Sequence, residues 1–396
     1  MFERLEQFPD DAILGLMAAY QADRDPRKVD LGVGVYRDER GQTPVLQAVR
    51  QAERALLERQ TTKSYVGLIG NPGFNHALEQ LVFGAGHPVL ASGRLRTVQT
   101  PGGCGALRLG AELLRFAAAE ASVYVSTPTW ANHVPLLSGA GIPLERYPYY
   151  DPATKGVRFS ALLEAFEQLP PRSIVLLHGC CHNPTGADLS QSQWRELLGV
   201  VSRRALLPYI DLAYLGLGAG VEPDAFGVRL FAEQLPEVLV AVSCSKNFGL
   251  YRERTGALHV IGESPAVAQA ALSQLLRIAR TTYSMPPDHG AAIVHEVLSN
   301  DGLRSTWLTE LDGMRGRITG LRRQLVASFA RSCPGRDFSF IEAQRGMFSY
   351  LDITREQVRA LRERHHLYMT EDSRINIAGL RSENLDYFAD CVARVL

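Results

Sequence analysis

Short apolar runs alternate with amphipathic stretches through the middle of this chain, and that alternation restricts its fold more than any other feature. Residues 96–100 read as a strand and 106–119 as a helix. Residues 123–125 and 174–178 read as further strands, 191–203 as a helix, and 207–211 and 238–242 as strands again. Such alternation implies an α/β architecture, a mostly parallel central sheet with helices on both faces. In sheets of this kind ligands bind beyond the carboxyl ends of the strands. The polar residues discussed below fall at those ends. The last part of the chain reads differently. Residues 303–330 form a long helical pattern interrupted by glycines, followed by strand-like runs at 338–341 and 347–351. Thr354 starts a helix through residue 364, and 383–396 reads as a terminal helix. This describes a smaller α+β unit. No Gly/Ser linker precedes it, so the two units are expected to share the long helix.

Bulk properties narrow the function. The 396 residues are enough for two sizeable cores. Lys+Arg and Asp+Glu both number 42, so no net charge draws the chain to nucleic acid or anionic membrane. No apolar run has the length of a membrane span. Residues 1–6 carry no signal core, which points to a cytoplasmic protein. The cysteines, at 104, 180, 181, 244, 333 and 391, show no CxxC spacing, so neither a zinc site nor a disulfide framework is expected. The vicinal pair Cys180-Cys181 reads as a redox pair or, more simply, as two buried small hydrophobes.

Neither a GxGxxG after a strand nor a GxxxxGK[ST] loop is present, which removes the main support for nucleotide readings. Lys246 instead follows the apolar run 238–242, between small polar residues, where a buried strand ends. A lysine there is costly unless neutral or covalently used. Covalent use means an imine with a carbonyl, most often that of pyridoxal 5′-phosphate. The same run also describes a solvated surface lysine. Arg254, eight positions on, and the nearby serines suit a phosphate. Gly102-Gly103-Cys104-Gly105, between a strand and a helix, would expose backbone N–H groups to such an anion. Asp211 ends another apolar strand and needs a partner, either a pyridinium nitrogen or a structural ion pair. Tyr214 is placed to donate to a phenolic oxygen. His182-Asn183-Pro184-Thr185-Gly186 is a turn that either offers the Asn183 amide to a cleft or is an ordinary loop. Trp130 could stack on a ring or simply pack, and His133 could support a carboxylate. Arg280 and Arg374 each have the geometry for a bidentate pair with a carboxylate, or are solvated.

In this order the pieces resemble the class I pyridoxal-phosphate-dependent aminotransferases, most of all the aspartate and aromatic-amino-acid subgroup. The resemblance spans essentially the whole chain, including Leu31-Gly32-Val33-Gly34-Val35-Tyr36, Ser64-Tyr65-Val66-Gly67 and Gly346-Met347-Phe348-Ser349-Tyr350. It implies the PLP-transferase fold type I, with an N-terminal arm at 1–13, a large cofactor-binding domain at 44–313, and a small domain from 14–43 and 314–396. It also implies a homodimer whose active sites draw on both subunits. Lys246 then matches the imine-forming lysine and Asp211 the partner of the pyridine nitrogen. Tyr214 and Asn183 match the donors to the phenolic oxygen, Trp130 the stacking residue and His133 the support for the aspartate. Gly103, Cys104, Ser243 and Arg254 match the phosphate cup, with Tyr65 and Ser284 reaching in from the other subunit. Arg374 matches the anchor of the α-carboxylate. Arg280, also from the other subunit, matches the anchor of a side-chain carboxylate, and Gly34 the lid glycine.

The implied reaction is a ping-pong exchange of an amino group between aspartate or an aromatic amino acid and 2-oxoglutarate, with Lys246 as general base. Two positions depart from the family pattern. Cys104 stands where Thr or Ser is usual, replacing a hydroxyl by a weaker thiol donor. Met285 stands where aspartate-directed members carry Asn, which favours an aromatic substrate, whereas Val35 and Thr43 look aspartate-directed. The rival readings are a lyase, decarboxylase or racemase on the same fold, and a non-catalytic regulator. Arg280 argues against the first, and the lack of a DNA-binding segment against the second.

Overall fold

The computed structural model describes residues 1–7 and 12–396. The expected arm at 1–13 falls partly on residues 8–11, which lie outside the described residues. The chain forms two compact units, one of residues 44–316 with 344–346, the other of 1–43, 317–343 and 347–396. The long helix Asp301–Ser332 contributes its first half to the former and the rest to the latter.

The larger unit is built on seven strands: β1 (Leu95–Pro101), β2 (Val123–Thr127), β3 (Leu144–Pro148), β4 (Ile174–His178), β5 (Leu207–Leu212), β6 (Val238–Ser243) and β7 (Thr255–Ile261). Their order is β1-β7-β6-β5-β4-β2-β3. β3, β2, β4, β5 and β6 run parallel, and β7 is antiparallel to both β6 and β1. Six strands therefore point one way and β7 alone is reversed. All six residues of β6 and all seven of β7 are buried. Successive side chains of a strand face opposite ways, so both faces of the sheet centre are covered. One face packs Val98, Leu239, Ala241, Leu258 and Val260 against Ala106, Leu107, Leu109 and Leu113 of helix Gly102–Ala117.

Two expectations need correction. The helix expected at 106–119 starts at Gly102 and ends at Ala117, so the glycine run is the first helical turn and not a turn before it. Gly102 enters at φ +71°, a conformation open to glycine, which lets the helix begin directly at the strand end. Residues 338–341 are not a strand. The Asp337 carboxylate accepts from Ser339 N at 2.7 Å and starts a short helix, Phe340–Ala343, while Phe338 stacks on Phe329.

The smaller unit has two short sheets. Val29–Asp30 pairs in parallel with Leu367–Tyr368, and Arg374–Asn376 pairs antiparallel with Phe348–Tyr350. Thr354 caps helix Arg355–His365 through a capping box with Gln357, and Leu385–Val395 is the terminal helix. Its core holds the buried Arg322, whose guanidinium donates to the carbonyls of Ile341 and Phe348 and to Ser349 Oγ.

Candidate active site

The strand directions of the larger unit decide what meets what. The carboxyl ends of β1, β2, β4, β5 and β6 lie at one end of the sheet. Because β7 is reversed, its amino end lies there too. Gly102, Trp130, Asn183, Asp211 with Tyr214, Lys246 and Arg254 all follow, end or precede these strand ends.

The first turn of helix Gly102–Ala117 has no side-chain cap. Its leading N–H groups have no partner within the helix and favour an anion. A Cβ on Gly102 would stand 2.6 Å from Arg254 Nη2, and one on Gly103 3.0 Å from Ser243 Cβ. The two glycines thus let a guanidinium and a serine close on the helix start. Arg254 itself adopts φ +53° and donates from Nη1 to the Tyr251 carbonyl at 2.9 Å. Cys104 is half-buried, with Asn132 Nδ2 at 3.8 Å from its sulfur.

Asp211 is buried, and its Oδ2 lies 3.0 Å from His133 Nε2. Burial raises the Asp211 carboxyl, but the His133 hydrogen bond and the charges of His133, His178 and Lys246 outweigh it, and the net shift is downward. A polar chain continues behind the pair. Thr129 Oγ1 lies 2.8 Å from His133 Nδ1 and 3.2 Å from His178 Nε2. His178 pairs in register with Asp211, and burial holds its imidazole down at about 3. His182 stacks on Tyr149 and is bracketed by Ser126 and Thr185. Sequence reasoning did not assign Thr129 or His178 a part in this site. The available signal was a histidine closing an apolar strand beside the strand that carries Asp211. Trp130 meets the His133 ring edge-on at 5.2 Å.

Lys246 Nζ stands 4.9 Å from the centre of the Tyr214 ring. Burial lowers its ammonium, Asp211 and Cys104 pull it partly back, and Arg254 adds to the lowering. Asn183 is buried in a turn whose Asn183–Pro184 bond is cis. Asp188 accepts from Cys181 N and His182 N and ties that turn together. The site residues expected from a second subunit are at the surface of this chain. Tyr65 is 91% exposed, and Arg280 donates to Ser284 Oγ at 2.5 Å at the end of helix Pro265–Thr282.

Gly34 and Arg374 belong to the smaller unit. Arg374 is buried, donates from Nη2 to the Gly32 carbonyl at 2.7 Å, and lies 4.5 Å over the Phe348 ring. Gly34 packs on the same ring, where a Cβ would stand 2.9 Å from Cζ. Asn376 Nδ2 donates to the carbonyls of Val33 and Val35 and holds this loop in place.

Among the described residues no helix is long and apolar enough to cross a membrane. Residues 26–392 match the family model for aminotransferase class I and II. The chain is 46% identical over 394 residues to an aromatic-amino-acid aminotransferase of Pseudomonas aeruginosa, covering 100% of this chain and 98% of that one. It is 43% identical over 396 residues to an aspartate aminotransferase of Escherichia coli, covering 100% of each. Among solved structures, it resembles an aromatic-amino-acid aminotransferase from Burkholderia pseudomallei covalently bound to pyridoxal phosphate. That likeness has a TM-score of 0.97 at 46% identity and covers 100% of this chain and 99% of that one. The cytoplasmic aspartate aminotransferase of Saccharomyces cerevisiae has a TM-score of 0.97 at 34% identity, covering 100% and 98%. The mostly parallel sheet of the larger unit agrees with the expected PLP-transferase fold type I. Matched over its full length at these identities, the chain belongs to the class I and II aminotransferase family and is an aminotransferase.

Proposed function

We propose that this aminotransferase uses pyridoxal 5′-phosphate to exchange the amino group of aspartate and of aromatic amino acids with 2-oxoglutarate. It works in the cytoplasm as a homodimer. The observation that carries this reading is the shared sheet end, where Lys246, the Asp211–His133 pair and the Gly102–Arg254 cradle come together. The groups present fit the cofactor. Free helix-start N–H groups, Ser243 and Arg254 suit a phosphate. A buried carboxylate held ionised by histidine suits a protonated ring nitrogen. When bound, the cofactor supplies an aldehyde for imine formation and a ring that accepts the electron pair left at the substrate Cα.

The chain's own residues do the rest. Gly103, Cys104, Ser243 and Arg254 hold the phosphate, and Trp130 covers one face of the ring. Asp211, supported by His133, keeps the proton on the ring nitrogen. Asn183 and Tyr214 donate to the phenolic oxygen. Lys246, whose ammonium is lowered by burial, is the amine placed to take the substrate Cα proton. Arg374 and Gly34 receive the α-carboxylate end of the substrate. Tyr65, Ser284 and Arg280 serve the site of the partner subunit, and their exposure in the single chain supports this assignment. Arg280 is the side-chain carboxylate anchor, and Met285 beside it presents an apolar surface to an aromatic ring.

The test is a comparison of kcat/KM for aspartate, tyrosine and phenylalanine with 2-oxoglutarate as acceptor. Values within about tenfold of one another are expected, since the two anchoring chemistries coexist. A preference of several orders of magnitude for either class would overturn the dual reading.

A further inference from the structure

The vicinal pair Cys180-Cys181 takes no part in the function proposed above, and the fold gives it a setting that the sequence does not show. Both thiols are buried, at 6% and 1% exposure, and so is Asp224 at 6%. One ligand atom from each of the three lies within 4.8 Å of the others. In an extended chain neighbouring side chains point to opposite sides. Cys181 instead adopts φ +53°, and the two sulfurs come within 4.8 Å of each other. The Asp224 carboxylate is fixed by the loop it closes. Its Oδ2 accepts from Gly216 N and Gly218 N, while its Oδ1 accepts from Ala219 N. A Cβ on Gly218 would stand 2.6 Å from Asp224 Oδ1 and 3.1 Å from Cys181 Sγ, so glycine at 218 leaves these atoms facing each other. The Tyr214 carbonyl oxygen lies 4.0 Å from Cys181 Sγ.

We propose that Cys180, Cys181 and Asp224 form a binding site for a soft divalent cation of the Zn2+ or Cd2+ class, with the Tyr214 carbonyl as a fourth donor. Two sulfurs with a carboxylate select such ions over Mg2+ and Ca2+, which prefer all-oxygen shells. Metal–sulfur bonds near 2.3 Å and metal–oxygen bonds near 2.1 Å separate tetrahedral ligand atoms by roughly 3.5–4 Å. The observed cluster is therefore close to closing on an ion. The two thiolates and the carboxylate exceed the charge of the cation by one, and Arg315, paired with Asp312 at 2.7 Å, acts electrostatically on Asp224 and lessens the excess. An ordinary cysteine thiol, with a pKa of about 8.5, carries its proton at neutral pH. Binding replaces two S–H bonds by two metal–sulfur bonds and releases two protons to solvent.

The test is calorimetric titration of the reduced holoenzyme with Cd2+ in two buffers of different ionisation enthalpy. The expected result is saturation at one ion per chain with about two protons released, and loss of that binding in Cys180→Ser/Cys181→Ser. Asp224→Asn would disturb the loop it holds, so the double serine variant, checked by circular dichroism, carries the test. A Cys333→Ser/Cys391→Ser variant should bind as the unmodified chain does. Absence of saturable binding, binding unchanged in Cys180→Ser/Cys181→Ser, or binding without proton release would each overturn the proposal.

Discussion

The buried histidines make the larger unit acid-sensitive by an amount that follows from its structure, and His259 offers the cleanest case. It lies in β7, fully buried, with Nδ1 2.8 Å from Thr97 Oγ1 and its ring edge-on to Phe83. Burial alone lowers its imidazole to about 3. In the unfolded chain the same group titrates near 6.5. Below that value the unfolded state binds a proton that the native state refuses, so stability falls as pH falls. The loss begins near pH 6.5 and levels off near the folded value. At about 1.4 kcal/mol per pH unit, it reaches about 2 kcal/mol at pH 5. That figure depends on the unfolded value and hardly changes while the folded one lies well below 5. The perturbation is His259→Gln, which cannot titrate. The assay is urea unfolding at pH 7 and pH 5, followed by tryptophan fluorescence. Trp130, Trp194 and Trp307 all belong to the larger unit, so the signal reports on it. The unmodified chain should lose about 2 kcal/mol more than the variant between the two pH values. Equal losses in the two proteins would refute the reasoning. His178 obeys the same arithmetic beside Asp211. Acid therefore weakens the cofactor-holding unit as a whole in addition to acting on the groups of the site.

Two further substitutions probe the site itself. Gly102→Ala places a methyl group 2.6 Å from Arg254 Nη2 at φ +71°. The strain of a left-handed alanine, roughly 1–2 kcal/mol, and the 2.6 Å approach to Arg254 are relieved by moving the helix start away from the guanidinium, so cofactor affinity should drop by on the order of tenfold. Dialysis against graded pyridoxal phosphate would measure this, and unchanged retention would contradict the cradle. His133→Phe removes the 3.0 Å bond to Asp211 and leaves burial as the main influence on that carboxyl. The acid limb of the kcat profile should move to higher pH, with kcat down by about tenfold or more for a loss of ~1–3 kcal/mol. An unmoved limb would mean that His133 does not support Asp211.

The central parallel strands were legible because their cores are apolar and short, whereas the edge strand β3, Leu144-Glu145-Arg146-Tyr147-Pro148 and half open to solvent, carries no apolar run and went unread. Residues 174–178 and the helix at 191–203 read in the sequence as they stand in the structure. Neither β7 itself, Thr255–Ile261, nor its reversal was read in the sequence, and direction leaves no mark on a strand buried on both faces. Yet that reversal brings Arg254 to the sheet end shared by Lys246 and Asp211. The start of helix Gly102–Ala117 was misplaced because a run of three glycines among four residues carries turn chemistry by composition. The positive φ of Gly102 is what turns it into a helix start. The link between Thr129 and His178 leaves no signal in the sequence, because a hydroxyl bridge between two rings depends on neighbouring strands that only the sheet order brings together. The scarcity of lysine was a signal within reach. The chain holds only Lys28, Lys63, Lys155 and Lys246, and only the last sits at the end of a buried strand.

That scarcity makes the decisive measurement clean. The holoenzyme would be reduced with borohydride, digested, and the cofactor located by peptide mass. The cofactor should be found on Lys246 alone, and Lys246→Ala should lose both the imine absorbance and turnover. Attachment at Lys28, Lys63 or Lys155, or near-normal turnover in Lys246→Ala, would contradict the assignment of Lys246 as the covalent anchor and proton carrier.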